Sequence, residues 1–581
     1  MIDPYRMVFV NIIFTLVIFS SSLIYKYIYP RQKINLFYLL ILLIIAASIS
    51  IFRVGTYESG DFNIHIYRSM EFYGSLIEGN LMPSWSPSLN ATYGYPLFIF
   101  NYSLPYYFIS FFHFLGFSFI NSLKLFLFSN MVLTGIFMYI FIQNKFKNNL
   151  ASFVASIFYV FAPYHLIATH FKITIGEILA YTLIPLCFLF VDKFIRKYRL
   201  SFLILSGFIL GLIAISHIFM TMILVPIIFL YLLNSLRNLT QVIKNSLYLL
   251  IISTTMSLYQ WLPPFLYKNH LSISFNPVDF NKLYFPNIYD LLFSPWRFGL
   301  LFQGPQGEIS NLIGYAQIIV IIIIIFLYFK NKIIAKQKKE ILFWLITLTV
   351  SIFMILPQSV PVWKYFPMIN AVGSHRLLLI VGFIISLLAG YLVLNIKAKA
   401  IIYIIIAITI STTILNWGHR KVIPEINDKA LKINLPLSTY QGEHHYYAIT
   451  KYVDLNNPWF SKTPQKKIEI IIGSPKIKNI YSSSTVHQYQ VSNSTKSLIR
   501  ENTLYFPGWK AYADTKSLNT FPDKEGIINI DLPKGNFQLT LKYEDIFIYK
   551  LSKLISILSF ASITLYLILK FRRNLVRFPK F

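Results

Sequence analysis

Asp61, His65 and Arg68 are spaced i, i+4 and i+7 in the stretch Gly60–Arg68, so a helix beginning near Gly60 sets all three on one face. A carboxylate, an imidazole and a guanidinium facing one way supply a base, a proton carrier and an anion clamp. The same spacing suits a helix N-cap at Asp61 with a surface ion pair to Arg68, and spacing alone leaves both roles open. A second set is Lys172-Ile173-Thr174-Ile175-Gly176-Glu177, preceded by His165 and His170. A carboxylate at the mouth of an apolar run is costly and so points to function, with a Lys172–Glu177 pair as the competing structural role. Gly373-Ser374-His375-Arg376 sets a cation ahead of another apolar run, where it grips a lipid phosphate or snorkels. His217, alone between two apolar runs, reads as hydrogen-bonded packing. Trp85, Tyr93 and Tyr95 stand beside Gly and Pro in an ordered loop at headgroup depth, as a sugar-stacking platform or an interfacial anchor. No HExxH, P-loop or dinucleotide fingerprint occurs in a usable context.

These residues sit between greasy segments. Of 581 residues, 56 % are hydrophobic and 13 % charged, against about 45–50 % and about 25 % in soluble domains. That excludes an ordinary soluble enzyme. The net charge of +29 falls in short loops rather than on one folded face, so nucleic acid is not the expected partner. The single cysteine, Cys187, lies in an apolar run and rules out an intrachain disulfide.

Runs of about 20 apolar residues mark spans at 7–29, 34–52, 119–142, 150–168, 176–193, 201–216, 217–235, 246–266, 312–330, 341–357, 376–395, 400–416 and 551–570. Basic residues fill alternate loops: Lys26 and Arg31, Lys145 and Lys147, Arg196 to Arg199, Arg237 and Lys244, Lys330 to Lys339, Lys397 and Lys399, and Arg572, Arg573 and Arg577. The positive-inside bias then predicts about thirteen spans with a cytoplasmic C-terminus. Residues 53–118, 169–175, 267–311 and 417–550 fall outside, with acids and cations concentrated at the outer ends of the spans. The segment 96–116 is expected to lie in the outer interface. The expected fold class is thus a polytopic α-helical membrane protein. Residues 1–416 form the transmembrane part with its first outer loop 53–118, and 551–581 form the last helix and a basic tail. Between them, 417–550 carry short alternating runs (Ile468–Ile472, Ser484–Val491, Ile527–Leu532, Phe537–Tyr543) split by Pro-Gly and Lys-Gly turns, which predicts an extracytoplasmic β-rich domain.

The strings GDFNIHIYRSMEF and GNLMPSWSPSLNATYGYPLFIFNYSLPYYF resemble the first outer loop of the 6-pyruvoyl-tetrahydropterin synthase-related membrane proteins. Those proteins and the YfhO-like envelope proteins share the architecture of GT-C membrane glycosyltransferases. KITIGEILAYTLIPL is similar to the family's basic-x4-Glu stretch, with Lys172 where arginine is usual. FSPWRFG, GSHRLLL, FPGWKAYAD and LPKGNFQLTLKY resemble later outer loops and the closing β domain. The resemblance implies an enzyme in the plasma membrane whose active face is extracytoplasmic. Such an enzyme moves a sugar from a polyprenyl-phosphate carrier to an envelope lipid, glycan or protein, the acceptor being unknown.

By position, the resemblance makes Asp61 the acidic base or metal ligand of the first loop, with His65 beside it. Arg68, Lys172 and Arg376 become phosphate clamps, and Glu177 a second acid. The cofactor stays unknown. A divalent metal (Mg or Mn) is conceivable, but the loop lacks the Asp-x-Asp pair of better-defined GT-C enzymes, and no metal ligand is assigned. Two other classes compete. One is a transporter or flippase of a lipid-linked saccharide, which charges buried near both leaflets would favour. The other is a non-catalytic envelope scaffold.

Overall fold

The structure is a computed structural model that describes the chain outside residues 1–3, 58, 237, 271–284, 294–309, 366–372, 413–421, 424–425, 438–449, 453–462 and 577–581. Glu58, Arg237, Arg577 and most of FSPWRFG therefore lie outside the described residues.

Helices overlie all the apolar runs. Ser and Asn side chains start several of them: Ser118 accepts from the Asn121 N–H and Asn148 from the Ala151 N–H. Lys147 and Tyr198 end two in the left-handed conformation. Among the described residues, five helices are long and apolar enough to cross a membrane: Phe119–Phe146, Ile175–Lys197, Ile218–Ser235, Ser374–Asn395 and Phe547–Lys570. Two bent pairs, Asn149–Val160 with Pro163–Lys172 (50°) and Ala335–Ile355 with Pro357–Trp363 (90°), raise this to seven. That is fewer than the expected thirteen. Helices such as Tyr315–Phe329 reach only about 22 Å at 1.5 Å per residue, short of the ~30 Å hydrocarbon layer. Leu239–Trp261 is long enough but opens with polar Gln241, Lys244 and Asn245.

Ile175–Lys197 joins two ion clusters. Glu177 lies at its start. Near its far end, about 22 Å away at helical rise, Asp192 meets Lys145 at 3.1 Å and is also paired with Arg196. Lys145 bridges on to Glu340 at 2.5 Å, and the Tyr231 hydroxyl lies between the two acids, 3.2 Å from Asp192 and 3.0 Å from Glu340, with one proton to give to either. The expectation that charge gathers at one end is therefore incomplete. The sequence shows Lys145 and Arg196 as loop cations; Arg196 finds its acid four residues back on its own helix, and what the sequence hides is that Lys145 meets acids from two other helices far along the chain.

The strands are β1 (Thr56–Tyr57), β2 (Val422–Ile423), β3 (Ile468–Ile472), β4 (Lys476–Ser482), β5 (Val486–Asn493), β6 (Ser497–Leu504), β7 (Trp509–Ala513), β8 (Lys516–Leu518), β9 (Thr520–Pro522), β10 (Ile527–Leu532) and β11 (Gly535–Tyr543). β1 pairs with β2, tying the first loop to the chain after the helix Lys399–Thr412. The other strands form antiparallel sheets ordered β3-β6-β10-β9 and β4-β5-β11-β7-β8. Alternating Ile499, Ile530, Tyr489, Val491, Leu539 and Leu541 fill the space between them. A polar staple crosses that core: Glu501 on β6 accepts from His487 Nδ1 at 2.9 Å and Tyr489 at 3.2 Å, both on β5.

Burial opposes ionisation of Glu501, yet Lys467 and His487 win and hold its carboxyl down at about 2. A depressed carboxyl stabilises fully above its unfolded value and loses that contribution as pH falls through its folded one. The β region is therefore expected to weaken between pH about 4.5 and about 2. Glu501→Gln should flatten that decline, followed by tryptophan fluorescence.

The first loop docks on this sandwich. Trp85 is 1 % exposed and packs edge-on against Trp509 at 5.2 Å and beside Tyr543 at 5.5 Å. It is thus neither an open stacking platform nor a membrane anchor. Its ring is consumed by the joint between loop and sandwich, a partner more than 400 residues away that local sequence does not reveal.

Candidate functional site

Asp61 is the N-cap residue of the helix Phe62–Ile77, but its side chain makes no cap bond. Ser59 Oγ accepts from the Phe62 N–H instead, at 3.3 Å. The backbone around Asp61 is clamped to the bent helix pair: Gly60 N donates to Phe171 O (2.8 Å) and Asp61 N to Lys172 O (2.9 Å). That pair ends in a π-helical turn, Ala168–Lys172, followed by Ile173 at φ 56°. A β-branched residue in the left-handed region is strained, a feature that collects at functional sites.

A Cβ on Gly60 would lie 2.8 Å from the Lys172 carbonyl oxygen and 3.2 Å from its Cα. Both are backbone atoms that cannot swing away. Gly60→Ala is expected to part the two segments at a cost of about 1–3 kcal/mol, visible as a lower melting temperature.

Lys172, Glu177 and Arg376 come together. Arg376 Nε donates to Glu177 Oε1 at 2.5 Å, and the Tyr164 hydroxyl donates to Oε2 at 3.2 Å. Lys172 Nζ donates to the Tyr164 oxygen at 3.0 Å, lies 3.2 Å from His375 Nε2, and stands 5.1 Å from the Tyr164 ring centre. Lys172 also interacts electrostatically with both Glu177 and Asp61. Lys172 and Glu177 are thus joined through Tyr164, with Arg376 taking the direct contact. Glu177 is 1 % exposed, so its charge is sustained by these partners.

His65 and Arg68 form an adjoining polar group around Tyr106. His65 Nδ1 lies 3.0 Å from the Tyr106 hydroxyl, which accepts from Asn101 Nδ2 at 3.3 Å and also bonds Arg68. With two donors on its oxygen, Tyr106 gives its own proton to His65 Nδ1, which places the ring proton on Nε2. Tyr102 stacks on Tyr106 at 5.9 Å and 11°. It also lies against Gly176, one residue from Glu177, and 6.4 Å from the His217 ring. The segment 96–116 consequently does more than line an interface: of the tyrosines that join the two groups, Tyr102 lies between its helices Leu97–Phe100 and Leu104–Phe114, and Tyr106 lies on the second.

Tyr164, His375, His217, Tyr102 and Tyr106 were not singled out as site residues. His375 beside Arg376 carried a signal. His217, read as packing, interacts electrostatically with Glu177.

A divalent metal does not fit these residues. Glu177 commits both oxygens to Arg376 and Tyr164, and the described residues contain no group of three or more His, Cys, Asp or Glu side chains placed to share an ion.

Residues 99–419 match the model of the 6-pyruvoyl-tetrahydropterin synthase related domain, a membrane protein. Lys172, Glu177, His217 and Arg376 fall inside that match, and Asp61, His65 and Arg68 precede it. An uncharacterized protein of Lactococcus lactis subsp. cremoris (strain MG1363) is 26 % identical over 202 residues, 34 % of this chain and 33 % of that protein. The chain thus spans about a third of the length of that curated relative. The cryo-EM structure of the arabinofuranosyltransferase AftD from mycobacteria is similar over 66 % of this chain and 27 % of its own, with 14 % identity and a TM-score of 0.38. Because the family match covers more than half of the sequence and embraces the Lys172–Glu177–Arg376 cluster, the chain belongs to the 6-pyruvoyl-tetrahydropterin synthase related family of membrane proteins.

Proposed function

We propose that the protein is an integral membrane glycosyltransferase that takes a sugar from a polyprenyl-phosphate carrier and passes it to an envelope acceptor on the extracytoplasmic face. The observation that carries this reading is that Asp61, bonded through its N–H to the Lys172 carbonyl and interacting electrostatically with Lys172, stands beside a half-buried cation pair, Lys172 and Arg376, built on Glu177 and Tyr164. In the transfer, the Asp61 carboxylate accepts the proton of an acceptor hydroxyl as its oxygen attacks the anomeric carbon. The bond from that carbon to the phosphate oxygen breaks, and polyprenyl phosphate leaves with the electron pair. Lys172, Arg376 and Arg68 offset the charge that gathers on the phosphate. Glu177 holds Arg376 and is a positioning residue. His65 sits one helical turn from Asp61 and is fixed by Tyr106. The β-rich region lies on the same outer side, and its sandwich packs Trp509 and Tyr543 against Trp85 of the first loop.

A second reading, transport of a lipid-linked saccharide, draws on the buried charges at both ends of Ile175–Lys197. Transfer ranks above it because both acids of the far cluster, Asp192 and Glu340, are paired with cations.

The test uses purified protein in proteoliposomes loaded with radiolabelled polyprenyl-phosphate sugars. Label released from the carrier onto a membrane-extract acceptor supports transfer. Label that stays on intact carrier but changes leaflet supports transport and overturns transfer.

A further inference from the structure

The free edge of the β sandwich is apolar. Among the described residues, β3 and β4 are outer strands of their sheets, each paired on one side only. They share one edge, because β6 and β5 beside them are stapled through Glu501 and His487, while β8 and β9 close the opposite edge as one run of chain. On this edge Ile470, Ile471, Ile472, Ile480 and Tyr481 are 48–59 % exposed. Both strands carry an irregularity at that point. Ile470 and Ile472 pair with the successive residues Ile499 and Leu498, and Asn479 and Tyr481 with Tyr489 and Gln488, so Ile471 and Ile480 are the extra residues. Bulges at an edge twist it away from strand addition and re-aim side chains. Exposed Lys466, Lys476 and Lys478 flank the isoleucines, with Glu469 the one exposed acid in the two strands. Lysines on an edge also discourage a partner strand. Apolar side chains ringed by cations suit an anionic headgroup layer, where apolar burial and charge attraction add.

The placement agrees. Ser484, two residues past β4, donates its N–H to Glu78 at 2.9 Å. Flanking Glu78, Ile77 and Leu81 are 70 % and 71 % exposed. The Leu81 carbonyl accepts from Tyr107 at 2.5 Å, on the helix that exposes Phe111 and Phe114. The next carbonyl, Met82, accepts at 3.0 Å from Lys553, which lies on the spanning helix Phe547–Lys570. The end of β4 is thereby tied, through a short apolar stretch, to the end of a membrane helix.

We propose that the β3–β4 edge is a membrane-docking surface that seats the sandwich on anionic phospholipid headgroups. This is independent of whether the site transfers or transports a sugar.

The test attaches an environment-sensitive fluorophore to the full-length chain at Ile471→Cys, Ile480→Cys or Ser517→Cys, the last on exposed β8, in a Cys187→Ala background. Each is reconstituted in phosphatidylcholine with or without phosphatidylglycerol, and quenched by lipids carrying a nitroxide near the headgroup. Labels at 471 and 480 are expected to be quenched several-fold more than at 517. Phosphatidylglycerol should strengthen that quenching, and Lys476→Ser with Lys478→Ser should reverse the gain. Quenching at 471 and 480 equal to that at 517 overturns the proposal. So does a blue shift that appears in lipid-free detergent and grows with protein concentration, which would assign the edge to a second copy of the chain.

Discussion

Arg376→Ala is expected to destabilise the protein by about 3–5 kcal/mol and to abolish turnover, because it strands a buried carboxylate. The Glu177 side chain is 2 % exposed and that of Arg376 22 %. Without the guanidinium, Glu177 retains the Tyr164 hydroxyl at 3.2 Å, with Lys172 engaged by Tyr164 and His375. Removing both charges should cost far less: Arg376→Met with Glu177→Gln is expected to recover most of the stability, since the penalty lies in the unpaired charge and not in the loss of the pair. Activity should stay lost in the double variant. Thermal melting of the three variants in one detergent checks the first part, and a melting point unchanged by Arg376→Ala would show that the pair is solvated.

Asp61→Asn is expected to reduce turnover by about 10²–10⁴-fold, the usual contribution of a positioned general base, while leaving the fold in place. The stability half of this expectation rests on geometry. Asp61 fixes its surroundings through backbone bonds, Asp61 N to Lys172 O and His65 N to Asp61 O, and its side chain does not cap the helix. An amide keeps the size and the backbone contacts and gives up the attraction to Lys172, so stability should fall by no more than about 1 kcal/mol. A large drop in stability with turnover retained would return Asp61 to a structural role.

Much of the architecture is legible in the sequence because it is written in local patterns. Ile527–Leu532 alternates in hydropathy and is strand β10 with the same ends. β6 was missed because Glu501, Asn502 and Thr503 are buried in succession, which breaks the alternation that marks a strand. Span number was harder to read. Apolar composition marks Tyr315–Phe329 as clearly as it marks Ser374–Asn395, yet helix length separates them.

The site was legible as residue types and hidden as contacts. Asp61, Lys172, Glu177 and Arg376 each stood out as rare charges beside apolar runs. Nothing local reveals that Arg376 rather than Lys172 takes the Glu177 carboxylate, since that choice is set by how helix ends 199 residues apart pack. Tyr164 and Tyr106 escaped notice for the opposite reason. Tyrosine is common here, with 40 in the chain, so type alone carries little signal and only position shows which hydroxyls bridge charges.

In the proposed reaction, Asp61 and the cations beside it move a sugar off a polyprenyl phosphate. The most direct test compares wild type and Asp61→Asn, purified in lipid and matched in melting point, for consumption of a panel of radiolabelled polyprenyl-phosphate sugars. Turnover of at least one donor is expected from the wild type, and turnover at least about 10²-fold lower from the variant. Equal turnover by both, or saturable donor binding by both with no turnover, would contradict the proposed reaction.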